Sequence, residues 1–483
     1  MPENIFDDVM VDLVDYIYGT NVFDDDAINI ARYCLMDSIG CAVAAIADEA
    51  CTNLLATMTL SEMSRGIPVI GHHRPLGPVE AAFHIGSRIR WLEFNDTWLA
   101  QEWGHPSDNL GAILAAAAWR GGTEARAPRT TMATVLDVMV RTYEIHGVLC
   151  LTNCFNKLGI DHIVLVKMAS ALASARLLGL TRDQALNALS NAIIDGHSLR
   201  TYRHAPNAGT RKSWAAGDAT ARGLQLALFA QAGEMGYPSA LTAKKWGFND
   251  AVLRGEPFNI SRPLNDFVVR NILFKVPNPA EYHAQTAVEA ALRLRPQILA
   301  AGYSIDDIES IRVETQRPAV QIIDKTGPLN NPADRDHCMQ YMVSVALCTG
   351  DLTIADFHEP RASDPAVASL RQKITCTERQ DFTKSYYDVE KRAIPNALFI
   401  KIRQNGTEFS ESIDYPLGHG RRRSECIPFL NTKFEKNLSG TSLHAQASDL
   451  ARIITTDRGF FDLPVHDFLM MFAEIRATTS SSQ

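Results

Sequence analysis

The sequence contains no Cys-x-x-Cys pair, and its nine cysteines fall at 34, 41, 51, 150, 154, 338, 348, 376 and 426 without a repeating interval. Cys150 and Cys154 therefore lack the further thiolates that an iron–sulfur cluster needs, and the disulfide framework of a small secreted domain is excluded. A reducing compartment is the expectation: the cytoplasm, or the mitochondrial matrix where a presequence has been trimmed. An excess of positive charge is also missing. The formal net charge of −8 argues against a nucleic-acid partner, whose phosphates demand a basic face. Apolar runs such as Leu110 to Trp119 are too short to span a bilayer, so no membrane role is expected. The acidic start, MPENIFDDVMVDLVDYIYG, has neither the basic region of a signal peptide nor the arginines of a transit peptide. No internal repeat occurs, and low complexity is confined to the Ser-rich end, Thr478 to Gln483, which is expected to fray.

Core-building material is ample: 46% of the 483 residues are hydrophobic and 21% charged, which suits roughly two to three domains of ordinary size. Apolar positions recur at three and four residues from Asp7 to Leu60, from Pro78 to Trp91 and from Thr131 to Val148, each predicting helix. The same period runs through GIDHIVLVKMASALASARLLGL and through Thr181 to Ile194, with Thr181 as a capping residue. Gly66 to Gly77 reads as a turn-rich connector carrying His72 and His73 as loop histidines, and Gly121 to Arg129 as a loop. The texture changes from about Phe258. FVVRNILFKV, IESIRVETQ and AVQIID read as strands, Ala284 to Ala300 and Arg335 to Gly350 as helices, and NALFIKIRQNGTEFSESIDYP as a hairpin turning at Asn405-Gly406. Cys426 to Phe472 is helical again. The expected fold is mostly α with an inserted α+β domain: 1–268 helical, 269–420 α+β, and 421–483 returning to the helical part.

Chemistry concentrates in WLEFNDTWLAQEWGHPSDNL, Trp91 to Leu110. Glu93, Asp96, Thr97, Glu102 and His105 supply carboxylates, a hydroxyl and an imidazole, while Trp91, Trp98 and Trp103 can exclude water. Ser107 or Asp108 can cap the helix LGAILAAAAW, whose amide-rich end favours a carboxylate. The bland alternative is a tryptophan-anchored surface loop. A second concentration lies at 197–223, where Arg200, Arg203, Arg211 and Lys212 can clamp several carboxylates by paired hydrogen bonds; a solvated basic loop is the alternative, and GTRKS lacks the glycines of a phosphate-binding loop. Between them Asp161 can cap a helix with His162 in its first turn, where the dipole lowers an imidazole's pKa and keeps a neutral base. Histidines at helix starts also serve structure alone.

Taken together, WLEFNDTWLAQEWGHPSDNLG, GHSLRTYRHAPNAGTRKSWAAGDAT, KTGPLNNPADRDHC and YPLGHGRRR resemble the PrpD branch of the MmgE/PrpD superfamily, the 2-methylcitrate dehydratase family, over nearly the whole chain. The resemblance implies a helical domain built from both chain ends, an α+β lid inserted between them, and a homodimer. It implies a small-molecule tricarboxylate substrate and a hydro-lyase reaction: 2-methylcitrate losing water to give 2-methyl-cis-aconitate, in the methylcitrate cycle of propionate catabolism, with no cofactor and no metal. Among positions aligned with the related cis-aconitate decarboxylases, Thr97, His105, His162, Lys212, Lys275 and Tyr341 match. Glu93 departs, standing where the family more often has aspartate, and the loop between Thr97 and His105 is longer than in the decarboxylases.

Such an elimination needs a base for a C–H next to a carboxylate, cations for the charge that develops, and an acid for the leaving hydroxyl. His162 or His105 is expected as base or acid, with Asp96 or Glu93 orienting an imidazole, Lys212 and Lys275 meeting negative charge, and Tyr341 as a proton donor. Arg200, Arg203 and Arg211, with Glu93 and Thr97, would bind the substrate. The alternatives are a dehydratase for a longer-chain alkylcitrate in a biosynthetic pathway, a cis-aconitate decarboxylase, a zinc enzyme using His105 with Asp96 or Glu93, and an inactive homologue that only binds.

Overall fold

The computed structural model describes every residue except 1–5, 60–62, 64–65, 124–128, 205 and 476–483. The Ser-rich end lies outside the described residues, as does most of the loop expected at 121–129. The chain forms two compact units: Met1–His204 with Arg211–Ile272 and Leu430–Gln483, and Ala205–Thr210 with Leu273–Phe429. The fold is mostly α with an α+β part.

The first unit is helical. Its α1 (Asp25–Ala44) begins where the Asp24 carboxylate accepts the Ala27 amide at 3.0 Å. Contrary to the sequence reading, this helix, continued to Ala47, is long and apolar enough to cross a membrane by length and composition, although 72% of the apolar window is buried inside the unit. Arg32 and Asp37 interrupt the run in sequence, and both are paired within the core: Arg32 Nε donates to the Ile454 carbonyl at 2.5 Å, and Asp37 meets Lys433 at 2.6 Å. The expected connector at 66–77 is a hairpin, β1 (Ile67–Val69) with β2 (His72–Leu76), so His72 and His73 lie on a strand.

α2 (Pro78–Trp91) opens with proline at a position that needs no N–H. It is followed by a two-residue hairpin pair, β3 (Trp98–Leu99) with β4 (Trp103–Gly104), then by α3 (Leu110–Thr123), α4 (Met132–Thr152), α5 (Ile163–Leu178), α6 (Arg182–Ile194) and α7 (Arg211–Gln231). Thr181, the predicted capping residue, closes a capping box with Gln184 on α6. α7 packs against α2 and α5. The approach is close because the contact residues are small: a Cβ on Gly217 would run into Ser87 and the Phe83 carbonyl, and one on Gly111 into the Ala82 carbonyl. FVVRNILFKV does not form a strand. Phe267–Arg270 is one helical turn, held where the Glu144 carboxylate accepts the amides of Val268 at 2.7 Å and Asn265 at 3.1 Å.

The second unit carries β5 (Ile308–Thr315), β6 (Ile374–Glu378), β7 (Asn396–Ile402) and β8 (Glu408–Ile413) in the order β6-β5-β7-β8, with β5 and β6 parallel and the other pairs antiparallel. Ile311, Val313, Leu398 and Ile400 face a core shared with α8 (Gln285–Ala300) and α9 (Met339–Thr349). The hairpin turns where predicted, with Gly406 at φ +73°. AVQIID, by contrast, lies mostly in the helical turn Arg317–Ile322, because Gln316 caps the Ala319 amide at 2.7 Å and Pro318 suits the first turn. The chain returns to the first unit within α10 (Arg423–Leu438).

Candidate active site

At the end of α2, Glu93 takes φ +54°, the left-handed conformation that glycine commonly fills after a helix. Holding glutamate there costs roughly 1 kcal/mol. The turn brings its Oε2 to 2.5 Å from Arg90 Nη2. The same guanidinium nitrogen lies 3.0 Å from His105 Nε2, and His105 Nδ1 lies 2.6 Å from the Asp96 carbonyl. A carbonyl only accepts and a guanidinium only donates, so the His105 proton sits on Nδ1 and Nε2 presents its lone pair. Glu93 Oε1 is 3.6 Å from that nitrogen, and Lys212 Nζ, at the start of α7, is 4.0 Å from Glu93 Oε2.

Asp96 thus orients His105 through its backbone. Its carboxylate braces the following turn, accepting the Ser107 hydroxyl at 2.7 Å and amide at 3.2 Å, and burial pushes its pKa up to about 6. Neither Ser107 nor Asp108 caps α3. Pro106–Asn109 is a 3-10 turn, Ser107 is turned to Asp96, and Asp108 accepts no backbone amide. Instead Asp108, fully buried, lies with Oδ1 3.9 Å from Arg90 Nε and Oδ2 3.6 Å from His162 Nε2. Burial pushes its carboxyl up to about 8, Asp96 and Glu93 adding to the rise while Arg90 and Arg203 oppose it.

His162, expected in the first turn, stands at the N-cap position immediately before α5, and Asp161, expected as the cap, lies one residue outside the helix and accepts the Ile163 amide at 3.3 Å. The imidazole Nδ1 is 3.2 Å from Asp161 Oδ1, and its ring centre is 5.9 Å from that of His105. Burial is the main cause that holds His162 well below its ordinary pKa; Asp161 opposes it, while Arg203 and Arg200 reinforce it. His162 is therefore held neutral chiefly by desolvation. Burial also acts to raise Asp161, yet the fork of Arg203, with Nη2 3.1 Å from Oδ1 and Nε on Oδ2, outweighs it together with His162 and Arg200. The Asp161 carboxylate is held far below the usual range.

Arg200 Nη1 lies 3.8 Å from Asp161 and 3.9 Å from Glu102, with its guanidinium 5.5 Å from the Trp103 ring centre. Glu102 accepts the Asn156 amide at 2.7 Å and is raised by burial to about 7. Thr97 is buried with its hydroxyl unpartnered. Arg211 lies apart from this pairing, over the Trp214 ring at 4.3 Å with a side chain 38% exposed. Lys275 and Tyr341 belong to the second unit. Lys275 is buried there, and the Tyr341 hydroxyl donates to the Asp356 carbonyl at 2.5 Å while burial pushes its phenol up to about 12.

Sequence reasoning missed Arg90, although its place three residues before Glu93 on a helix end was a usable signal, and it cast Asp108 and Asp161 only as caps. Among the described residues no three His, Cys, Asp or Glu side chains are grouped to hold a metal ion.

Two imidazoles, one carboxylate held ionised, one carboxyl raised past neutrality and several buried cations, gathered in one unit, are the group types that general acid–base enzymes use. The chain belongs to the MmgE/PrpD family: its N-terminal domain matches residues 11–261 and its C-terminal domain residues 279–457. It is 50% identical over 471 residues to the 2-methylcitrate dehydratase of Salmonella typhimurium and 49% identical over 471 residues to that of Escherichia coli, covering 97% of both chains in each case. It is 43% identical over 475 residues to the mitochondrial 2-methylcitrate dehydratase of Yarrowia lipolytica, covering 97% of this chain and 90% of that one.

Proposed function

We propose that this protein is a 2-methylcitrate dehydratase, a hydro-lyase that removes water from 2-methylcitrate to give 2-methyl-cis-aconitate in the methylcitrate cycle of propionate catabolism. The observation that carries the reading is half-identity to proteins of that name over 97% of the chain, and the buried acid–base cluster supports it chemically.

His105 serves as the base. Its Nδ1 proton is fixed by the Asp96 carbonyl, and its Nε2 lone pair, met by Arg90 Nη2 at 3.0 Å, takes a proton from the carbon beside a carboxylate once that guanidinium turns to the substrate. Removing that proton builds enolate-like charge, which Arg90 and Lys212, both buried, are placed to stabilise. Arg200 holds a non-reacting carboxylate. Arg203 is engaged by Asp161 and acts through it on His162. No step is assigned to Arg211, Lys275 or Tyr341. The protein works as a homodimer in the cytoplasm; a monomer by light scattering, or recovery in the mitochondrial matrix on fractionation, would change those two assignments alone.

The test is incubation of purified protein with each stereoisomer of 2-methylcitrate, following alkene absorbance in the ultraviolet. One isomer is expected to react faster than citrate and than longer alkylcitrates. No alkene from any isomer, or release of carbon dioxide from cis-aconitate, would overturn the reading.

A further inference from the structure

We infer that Asp108 is the acid that protonates the departing hydroxyl, while His162 Nε2 holds the same oxygen. The inference rests on the dehydratase reading. Its basis is an arrangement that serves no evident structural purpose: both carboxylate oxygens of Asp108, Nε2 of His162 and Nε of Arg90 are buried without a hydrogen-bond partner, although they face one another at 3.6 and 3.9 Å. Leaving such groups unpaired costs about 1–3 kcal/mol apiece, and Asp108 does not even cap the helix it precedes. A ligand that brings its own polar atom meets them. Because Asp108 Oδ2 and His162 Nε2 are 3.6 Å apart, one oxygen can lie at about 2.8 Å from both, an ordinary hydrogen-bond length.

The protonation states suit a hydroxyl at that apex. His162 directs Nδ1 at Asp161, which Arg203 keeps ionised, so its proton resides on Nδ1 and Nε2 accepts the substrate O–H. Asp108, raised past neutrality, is protonated and donates to the same oxygen. In the reaction the C–H proton passes to His105 Nε2 and the C–H electron pair becomes the double bond. The C–O bond breaks with its pair on oxygen, and that oxygen takes the Asp108 proton to leave as water. Asp108 is then the carboxylate and His105 the imidazolium; one proton exchanged through solvent from His105 to Asp108 restores both. The His105 and His162 rings, 5.9 Å apart between centres, place base and hydroxyl acceptor on a spacing that neighbouring substrate carbons can bridge. The charged and titratable groups facing Asp108 are Arg90 from α2, Glu93 and Asp96 from the loop after it, His162 at the start of α5, and Arg203.

The experiment compares wild type with Asp108→Asn and Asp108→Glu in the full chain. Asparagine reproduces the neutral acid's shape and hydrogen bond but has no proton to give. It is expected to lower kcat by about 10²- to 10⁴-fold, to move KM less than about threefold, and to abolish the fall in kcat that wild type shows as the acid ionises near pH 8. Glutamate is expected to recover part of kcat. A purely structural Asp108 would instead leave the asparagine variant active within about threefold with its alkaline limb intact, which would overturn the assignment while the dehydratase reading stands. Wild type that makes no alkene would overturn both. If the asparagine variant does not fold, infrared titration of wild type labelled only in its aspartate carboxyls, which keeps Glu102 silent, decides: a protonated aspartate band that disappears near pH 8 supports the inference, and full ionisation of every aspartate by pH 7 defeats it.

Discussion

Replacing Arg203 with methionine separates a structural cation from a substrate-binding one. Asp161 is fully buried and its fork to Arg203 supplies most of its counter-charge, since Arg200 lies farther off at 3.8 Å. Stripping a buried carboxylate of its partner costs about 3–5 kcal/mol; the residual attraction of Arg200 favours the lower end. For a chain of this size about 3 kcal/mol corresponds to a fall in Tm of about 3 °C. Asp161→Asn in the same background removes the stranded charge, so the double variant should regain at least half of the loss. The pH dependence follows from the direction of the Asp161 shift. Its folded pKa is depressed below the ordinary 3.8, so its contribution is fully present above that value and is lost only as pH falls through the folded pKa. The coupling should therefore be the same at pH 5 and pH 8. Thermal unfolding of the four proteins at both pH values measures it. Additive losses, with coupling under about 0.5 kcal/mol, would refute the view that Arg203 is there for Asp161.

Other outcomes follow from the same geometry. His105→Ala and Lys212→Ala should each lower kcat at least about 100-fold in steady-state assays with unchanged circular dichroism. Lys433→Met should destabilise the first unit by about 3–5 kcal/mol, because it leaves Asp37 buried without the ammonium now 2.6 Å away; a denaturation midpoint equal to wild type would contradict this. Dialysis against a chelator should leave turnover within about twofold, as measured by alkene formation.

Much of the fold was legible along the chain because it rests on short-range physics. The Thr181 capping box, the proline at the start of α2, the alternation of Ile311 and Val313 along β5 and the Asn405-Gly406 turn each depend on neighbours within a few residues. The loop Trp91 to Leu110 likewise announced itself by composition, and His105, His162, Lys212 and Glu93 were named from segments whose residue types suit the chemistry. FVVRNILFKV and AVQIID went the other way. Their apolar runs are compatible with strand or helix: Glu144, 124 residues from Val268, decided the first for a helical turn, and the second was decided locally by the Gln316 cap and Pro318, signals the apolar pattern hides.

The sequence by itself determined the long helices, several of their starts and which polar side chains are available for acid–base work, since propensity, capping and hydrophobic period are local. Only the tertiary structure decided that Asp108 is kept protonated, that Asp161 is kept ionised and that Arg203 is bound to it. Those states are set by burial and by charges that folding brings together, such as Arg203 on Asp161, 42 residues away. Desolvation is a property of the packed interior, and no spacing of residues along the chain carries it.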